Sequence, residues 1–327
     1  MRYMRVGRTD MTASVVSIGA FGIGGGLTWS DTTIDAKGTS ELLDAALDVG
    51  VNMIDTAPVY GIGASEVMLG EALRGKRDKF ILQTKCALNW RGEGGAVEYV
   101  RDGKTVCRDL GAKAIRKDLE ESLSRLQTDY IDIFITHRQS DTVSVGETMG
   151  ELMKMVKEGK IRAVGISNSN AGHLREYEKI GPVALVQEKL SLFTPQNRED
   201  YIPVCEEIGT TFQAFSTLQA GSLTGPEAIG RTFPAGDYRN NFKWFKEEAR
   251  PHMEALYVGW APLCEKYGCS YSNLAQAWAL RQSPTVNLLT GMRRVESLLD
   301  AAKAADIMMD EADAAKMGAD AARILAL

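Results

Sequence analysis

Four residues between positions 55 and 137 have the types and order to make a proton donor: Asp55, Tyr60, Lys85 and His137. A free tyrosine hydroxyl ionises at about pH 10, too high for an efficient acid at neutral pH. An ammonium beside it stabilises the phenolate and lowers that value. Lys85 can supply the charge, and Asp55 can keep Lys85 charged and oriented. His137 can donate a hydrogen bond to the oxygen that receives the proton. The chemistry in view is protonation of a carbonyl oxygen. Singly, each residue is a weak signal, because a strand-end Asp or Lys is ordinarily a structural ion pair and a lone His a satisfied core group. Their order along the chain is what makes them a set.

The elements that must position them are short apolar runs. Asp55 closes N-M-I-D (52–55), Lys85 closes F-I-L-Q-T-K (80–85), and His137 closes Y-I-D-I-F-I-T-H (130–137), with Tyr60 in the loop after the first of these. Polar groups gathered at one end of successive strands are how a parallel barrel builds a site. Further strands are predicted at 14–20, 161–168, 183–187, 211–216 and 286–291. Helical patterns alternate with them, at 39–50, 65–75, 112–126, 145–159, 171–180, 198–209 and 272–282. In the first, Leu42, Leu43, Ala46 and Leu47 share a face and Gly50 is a stop signal. Met1–Val6 and Ala13–Val16 predict a small hairpin that could plug one end of the barrel. The tail 310–327 has helical spacing and is predicted to pack as a closing helix.

Eight strands, each followed by a helix, predict an α/β fold: a single (β/α)8 TIM barrel domain over 1–327, with an N-terminal β-hairpin and long loops on the C-terminal face. An open doubly wound sheet is disfavoured, because no G-x-G-x-x-G turn enters a helix after the first strand. The Gly-rich run at 22–27 is followed by polar sequence, and the helix is predicted only near Thr39. It therefore reads as a substrate-side loop rather than a phosphate cradle. Three loops are longer than a barrel needs: 21–38, 89–110 and 217–249.

A net charge of −5, with 44% hydrophobic and 25% charged residues, is ordinary for a soluble globular chain and leaves no footprint for nucleic acid or an anionic membrane. No stretch reaches the length of a membrane span, and the basic start lacks the apolar segment of a signal peptide. Five cysteines without metal-type spacing fit a reducing cytoplasm and predict no metal site. Cys86, beside Lys85, reads as an inert strand-end thiol.

N-M-I-D-T-A-P-V-Y-G with G-A-S-E, then T-K, Y-I-D-I-F-I-T-H and K-I-R-A-V-G-I-S-N, resemble the aldo-keto reductase superfamily over essentially the whole chain. M-R-V-G-R-T-D-M near the start and L-T-G-M-R-R-V-E near the end also fit. Within it the chain is most similar to the bacterial inositol-operon, sugar and general aldehyde reductase branch. The resemblance implies an NAD(P)H-dependent oxidoreductase acting on CH–OH donors, with Tyr60 as general acid tuned by Asp55, Lys85 and His137. It implies NADP(H), with NAD(H) possible, bound without a Rossmann fold. Ser167, Asn168 and Gln187 would hold the carboxamide, and Phe215 would stack on the nicotinamide. Ser216, Leu218, Gly221 and Ser222 would lie against the pyrophosphate. Gly291 and Arg293 would meet the adenosine 2′-phosphate, which suits the donor fork of Arg.

The chain departs from the pattern at Arg138-Gln139-Ser140, where relatives often have an aromatic, Pro and Asp. It departs at Thr290, usually Pro, and at Ser297 and Ala301, where an amide pair often reads adenine. Arg138 is a candidate substrate-side cation for an acidic or phosphorylated sugar. Trp29 and Trp90 are candidate walls for a small-molecule carbonyl or sugar. Trp244 and Trp260 also invite a pocket role, whereas Trp278 falls in a core helix. Two other functions stay open: a nucleotide-binding regulatory barrel, and a Schiff-base lyase using Lys85. An NAD-dependent sugar dehydrogenase is the nearest variant of the first reading.

Overall fold

A computed structural model describes residues 1–24, 34–101 and 103–326. Strands β1 (Tyr3–Arg5) and β2 (Thr12–Ser14) form the expected antiparallel hairpin, and β3 (Val16–Gly19), β4 (Met53–Asp55) and β5 (Ile81–Cys86) begin a barrel. β6 (Leu88–Asn89), β7 (Ala96–Arg101) and β8 (Lys104–Arg108) make a separate three-stranded sheet. β9 (Ile131–Thr136), β10 (Ile161–Ser167), β11 (Val183–Lys189), β12 (Thr211–Phe215) and β13 (Val286–Gly291) complete a closed parallel barrel of eight strands, β9 pairing with both β5 and β10. Helices surround it. The fold is the (β/α)8 TIM barrel that the alternation of elements predicts.

Barrel strands are buried on both faces, which explains why they are nearly continuous apolar runs rather than alternating ones. The hairpin closes the N-terminal end of the barrel. Val6, Met11 and Ala13 pack against the lowest interior side chains, Met53, Ile81, Ile133, Ala163 and Leu185. Its turn needs Gly7: φ is +51°, and a Cβ there would stand 2.4 Å from the Ala184 carbonyl oxygen. The C-terminal end is left for the site.

Three differences from the sequence reading have local causes. The first barrel helix starts at Ala36, ahead of Thr39, because Asp35 caps it by accepting from the Gly38 N–H at 2.7 Å. The segment 89–110 is mostly a β-hairpin rather than a loop. The D-G pair at 102–103 between two β-rich runs is the signal that was available for it. After β12 come 3-10 turns and then a helix, Arg250–Tyr267, not anticipated ahead of the helix Tyr271–Arg281. Its buried Met253, Leu256, Tyr257, Trp260 and Leu263 share one helical face, so the apolar spacing was there to be read, with Pro262 inside the helix working against that reading. The closing helix runs Glu311–Leu325. Among the described residues no helix is long and apolar enough to cross a membrane.

Candidate active site

Asp55 is the last residue of β4, Lys85 lies one residue from the end of β5, and His137 follows β9 directly. Parallel register and a side-chain period of two turn Asp55 and Lys85 inward at the same end of the barrel. Lys85 Nζ donates to Asp55 Oδ1 at 2.8 Å and Oδ2 at 2.7 Å, to the Thr56 carbonyl at 2.8 Å and to the Tyr60 hydroxyl at 3.1 Å. The Tyr60 and His137 rings meet edge to face at 6.0 Å, and Phe21 lies edge-on to Tyr60 at 5.0 Å. The structure thus brings the four residues together.

The backbone around Tyr60 explains its placement. Gly61, Ile62 and Gly63 all have positive φ, so the chain reverses sharply and enters the helix Ala64–Ala72 at once. Tyr60 packs on a cluster of Ala57, Val59, Leu88 and Val106, so β6 and β8 of the small sheet support the tyrosine loop from outside. Behind Lys85, fully buried Glu66 accepts from Thr84 Oγ1 at 2.6 Å and from Arg125 Nε at 2.6 Å, tying that helix to β5.

Burial works against the Lys85 ammonium, but Asp55 and Tyr60 more than offset it and hold the amine above the usual lysine range. An ammonium so held is not a free nucleophile, which argues against Schiff-base chemistry. Tyr60 differs from the simple expectation. Burial raises its hydroxyl above the usual phenol value, Lys85 pulls it down, and Asp55 pushes it up again. The Asp55 carboxylate cancels part of the lysine charge that a lone pair of residues would enjoy. Tyr60 is therefore fully protonated at neutral pH in the free protein. Burial, helped by the charges of Lys85 and Arg138, pushes His137 well below the usual imidazole value, so it is a neutral donor.

The carboxamide candidates sit beside this group. Asn168, with φ +50°, donates to the His137 carbonyl at 2.8 Å, and Ser167 Oγ donates to the Gln187 carbonyl at 2.8 Å. Gln187 Nε2 reaches Asp55 Oδ1 at 2.8 Å. Sequence reasoning missed Glu188, buried on β11, which accepts from the Ser169 N–H at 2.5 Å and its hydroxyl at 3.0 Å, and so pins the loop that carries Asn168. A buried acid beside a run of apolar strand residues was the available signal.

Phe215 is half-buried at the end of β12. Ser216, Ala220 and Gly221 all have positive φ, which turns the following segment back on itself. Ser222 is buried there with a hydroxyl that has no hydrogen-bond partner among the described residues. Gly291 is exposed at the end of β13, and Arg293 lies against Gly22, where a Cβ would meet its Cδ at 2.5 Å. Burial and the charges of Arg294 and Arg239 depress the Arg293 guanidinium. Ala301 is in the core.

Trp29 lies outside the described residues. Trp90 packs beside the tyrosine loop with Arg125 and Lys104 both 5.8 Å from its ring. Trp260 and Trp278 are buried in the core, so Trp260 is not a pocket wall, and Trp244 stacks on Phe193 at 4.3 Å. Arg138 is exposed and makes no ion pair among the described residues. Cys86 is fully buried and its thiol is pushed well up by burial, as an inert position requires. No cluster of three metal-ligating side chains occurs among the described residues.

Residues 16–319 match the model of the aldo/keto reductase family. The chain belongs to that family. An NADH-specific methylglyoxal reductase of Escherichia coli is 35% identical over 97% of this aldo-keto reductase and 97% of its own length. The aldo-keto reductase YhdN of Bacillus subtilis is 33% identical over 90% of this chain and 86% of its own. The solved glycerol dehydrogenase of Gluconobacter oxydans superposes with a TM-score of 0.85 at 32% identity, covering 98% of this chain and 94% of that one. The family and these relatives support interconversion of a carbonyl and an alcohol.

Proposed function

We propose that this aldo-keto reductase reduces a small aldehyde, ketone or open-chain sugar with NADPH, Tyr60 giving the proton. The observation that carries the reading is one buried ammonium, Lys85, touching both the Asp55 carboxylate and the Tyr60 hydroxyl. Tyr60 starts protonated. As the proton leaves toward a carbonyl oxygen, the phenolate that forms is met by Lys85, and the neutral His137 imidazole donates to the same oxygen. In the oxidative direction Tyr60 takes the proton back.

The residues fit a nicotinamide dinucleotide. Asn168, Ser167 and Gln187 would hold its carboxamide, and Phe215 would offer a ring face. The segment of Ser216, Leu218, Gly221 and Ser222 would line the pyrophosphate, where the unpartnered Ser222 hydroxyl awaits an acceptor or donor. A bound nicotinamide would supply the hydride. Arg293, with Arg294 near it and Arg239 paired with Asp237, brings a donor fork suited to a 2′-phosphate. That favours NADPH, while the NADH specificity of the Escherichia coli relative makes NADH the alternative. Arg138, next to His137, would accept an anionic group on the substrate. A methylglyoxal reductase and a glycerol dehydrogenase among the relatives make three-carbon carbonyls the first substrates to try.

The test follows oxidation of NADPH and NADH with methylglyoxal, glyceraldehyde and a sugar panel. Tyr60→Phe is expected to keep cofactor fluorescence quenching and to lose about a thousandfold in kcat. Undiminished turnover by that variant would overturn the assignment.

A further inference from the structure

The barrel interior above the hairpin plug is not filled by branched apolar side chains alone. Gln187 on β11, Gln213 on β12 and Asn287 on β13 stand side by side in register, with Ser17 on β3 close by. All four are buried, Gln213 completely. They form one continuous chain of hydrogen bonds. Asn287 Nδ2 donates to the Ser14 backbone carbonyl at 2.8 Å. Asn287 Oδ1 accepts from Gln213 Nε2 at 2.9 Å and from Ser17 Oγ at 2.7 Å. Gln213 Oε1 accepts from Gln187 Nε2 at 2.8 Å, and that same nitrogen donates to Asp55 Oδ1 at 2.8 Å.

The direction of this chain is not free. A backbone carbonyl can only accept, so the Ser14 oxygen fixes which end of Asn287 is the amide nitrogen. That choice fixes Gln213, and Gln213 fixes Gln187. Gln187 must therefore aim its NH2 at Asp55 and leave its side-chain Oε1 without a hydrogen bond among the described residues. A reversed Gln187 would set a carbonyl oxygen against the Asp55 carboxylate. In a buried site such a clash of acceptors costs more than a lost hydrogen bond.

We propose that Gln213 and Asn287 are positioning residues: through Gln187 they hold Asp55 in the geometry in which it pairs with Lys85, and they set which end of the Gln187 amide meets the cofactor. The inference rests on the reading of Asp55, Lys85 and Tyr60 as the proton-donating group. Among the described residues neither residue hydrogen-bonds to Lys85 or Tyr60, and Asn287 bonds to neither Asp55 nor Gln187. A purely structural role would show as lost stability alone. A positioning role also changes the protonation of Asp55: burial raises that carboxyl above the usual range, and the Gln187 donor, after Lys85, works against the rise.

Gln213→Met keeps the volume and removes the hydrogen bonds of Gln213 to Gln187, Asn287 and Ser17, while Asn287→Leu cuts the chain at its far end. Spectra of cofactor-free protein with 13C-labelled aspartate, the Asp55 signal assigned with Asp55→Asn, read the carboxyl directly. Both variants are expected to titrate Asp55 at higher pH than the wild type. In turnover, the acid limb of the kcat profile should move toward neutrality and kcat should fall about tenfold. Ser17→Ala, which removes only a side branch, should give the smaller change. A folded Gln213→Met protein with the wild-type Asp55 titration and acid limb would overturn the proposal. A wild type that reduces no carbonyl would instead sink the function, and the aspartate titration would still decide the positioning role.

Discussion

Glu188 gives a stability prediction that can be worked through. Its side chain is 7% exposed and makes no ion pair among the described residues; its only hydrogen bonds come from Ser169, whose hydroxyl also lies 2.8 Å from the Tyr201 hydroxyl. Burial pushes the carboxyl up from 4.5 to about 7, with the Ser169 donors and the more remote charges of Lys189 and Arg138 pulling the other way. The folded protein therefore keeps a proton on Glu188 that the unfolded chain releases near pH 4.5. Stability must fall as pH rises through that window, and the loss is complete above about pH 7. Between pH 5 and pH 8.5 the loss is about 2 to 3 kcal/mol. For a chain of 327 residues that is about 3 to 4 °C in Tm. Glu188→Gln keeps an acceptor for the Ser169 N–H and cannot ionise. Thermal melts of wild type and variant at both pH values cancel every other titration in their difference. The Tm of the variant relative to the wild type should rise by that amount from pH 5 to pH 8.5. A difference that stays flat, or falls, would refute the claim that Glu188 is buried without a compensating cation.

Two further outcomes test the ends of the site. Arg138→Gln should lower the preference for an anionic aldehyde over a neutral one of equal length, succinic semialdehyde against butanal, by about two- to fivefold in kcat/KM, the modest effect of an exposed charge. An unchanged ratio would make Arg138 an ordinary surface residue. Arg293→Ala should reduce the ratio of NADPH to NADH affinity by about tenfold or more, measured by fluorescence titration; a ratio that does not move would point to another residue at the phosphate or to NADH as the cofactor.

The sequence by itself determined the barrel. Apolar runs buried on both faces and amphipathic helices alternate with a strictness that permits little else, and parallel strands closed into one ring bring a strand-end Asp, Lys and His to the same end of the barrel. The D-G pair before the β8 strand and the capping Asp35 were equally readable, since turn and cap chemistry is local. Tertiary structure decided what depends on distance across the barrel. The net direction of the Tyr60 shift needed Asp55, Lys85 and burial weighed together, and no one of them predicts the sum. Trp260 and Trp90 look alike as sequence, and packing sent one into the core and the other beside the tyrosine loop. Gln213, Asn287 and Ser17 lie 74 and 196 or more positions apart in sequence along their hydrogen bonds. Only closure of the barrel makes them one chain, because the register of strands β11, β12, β13 and β3 is set by the whole ring and not by any of its segments.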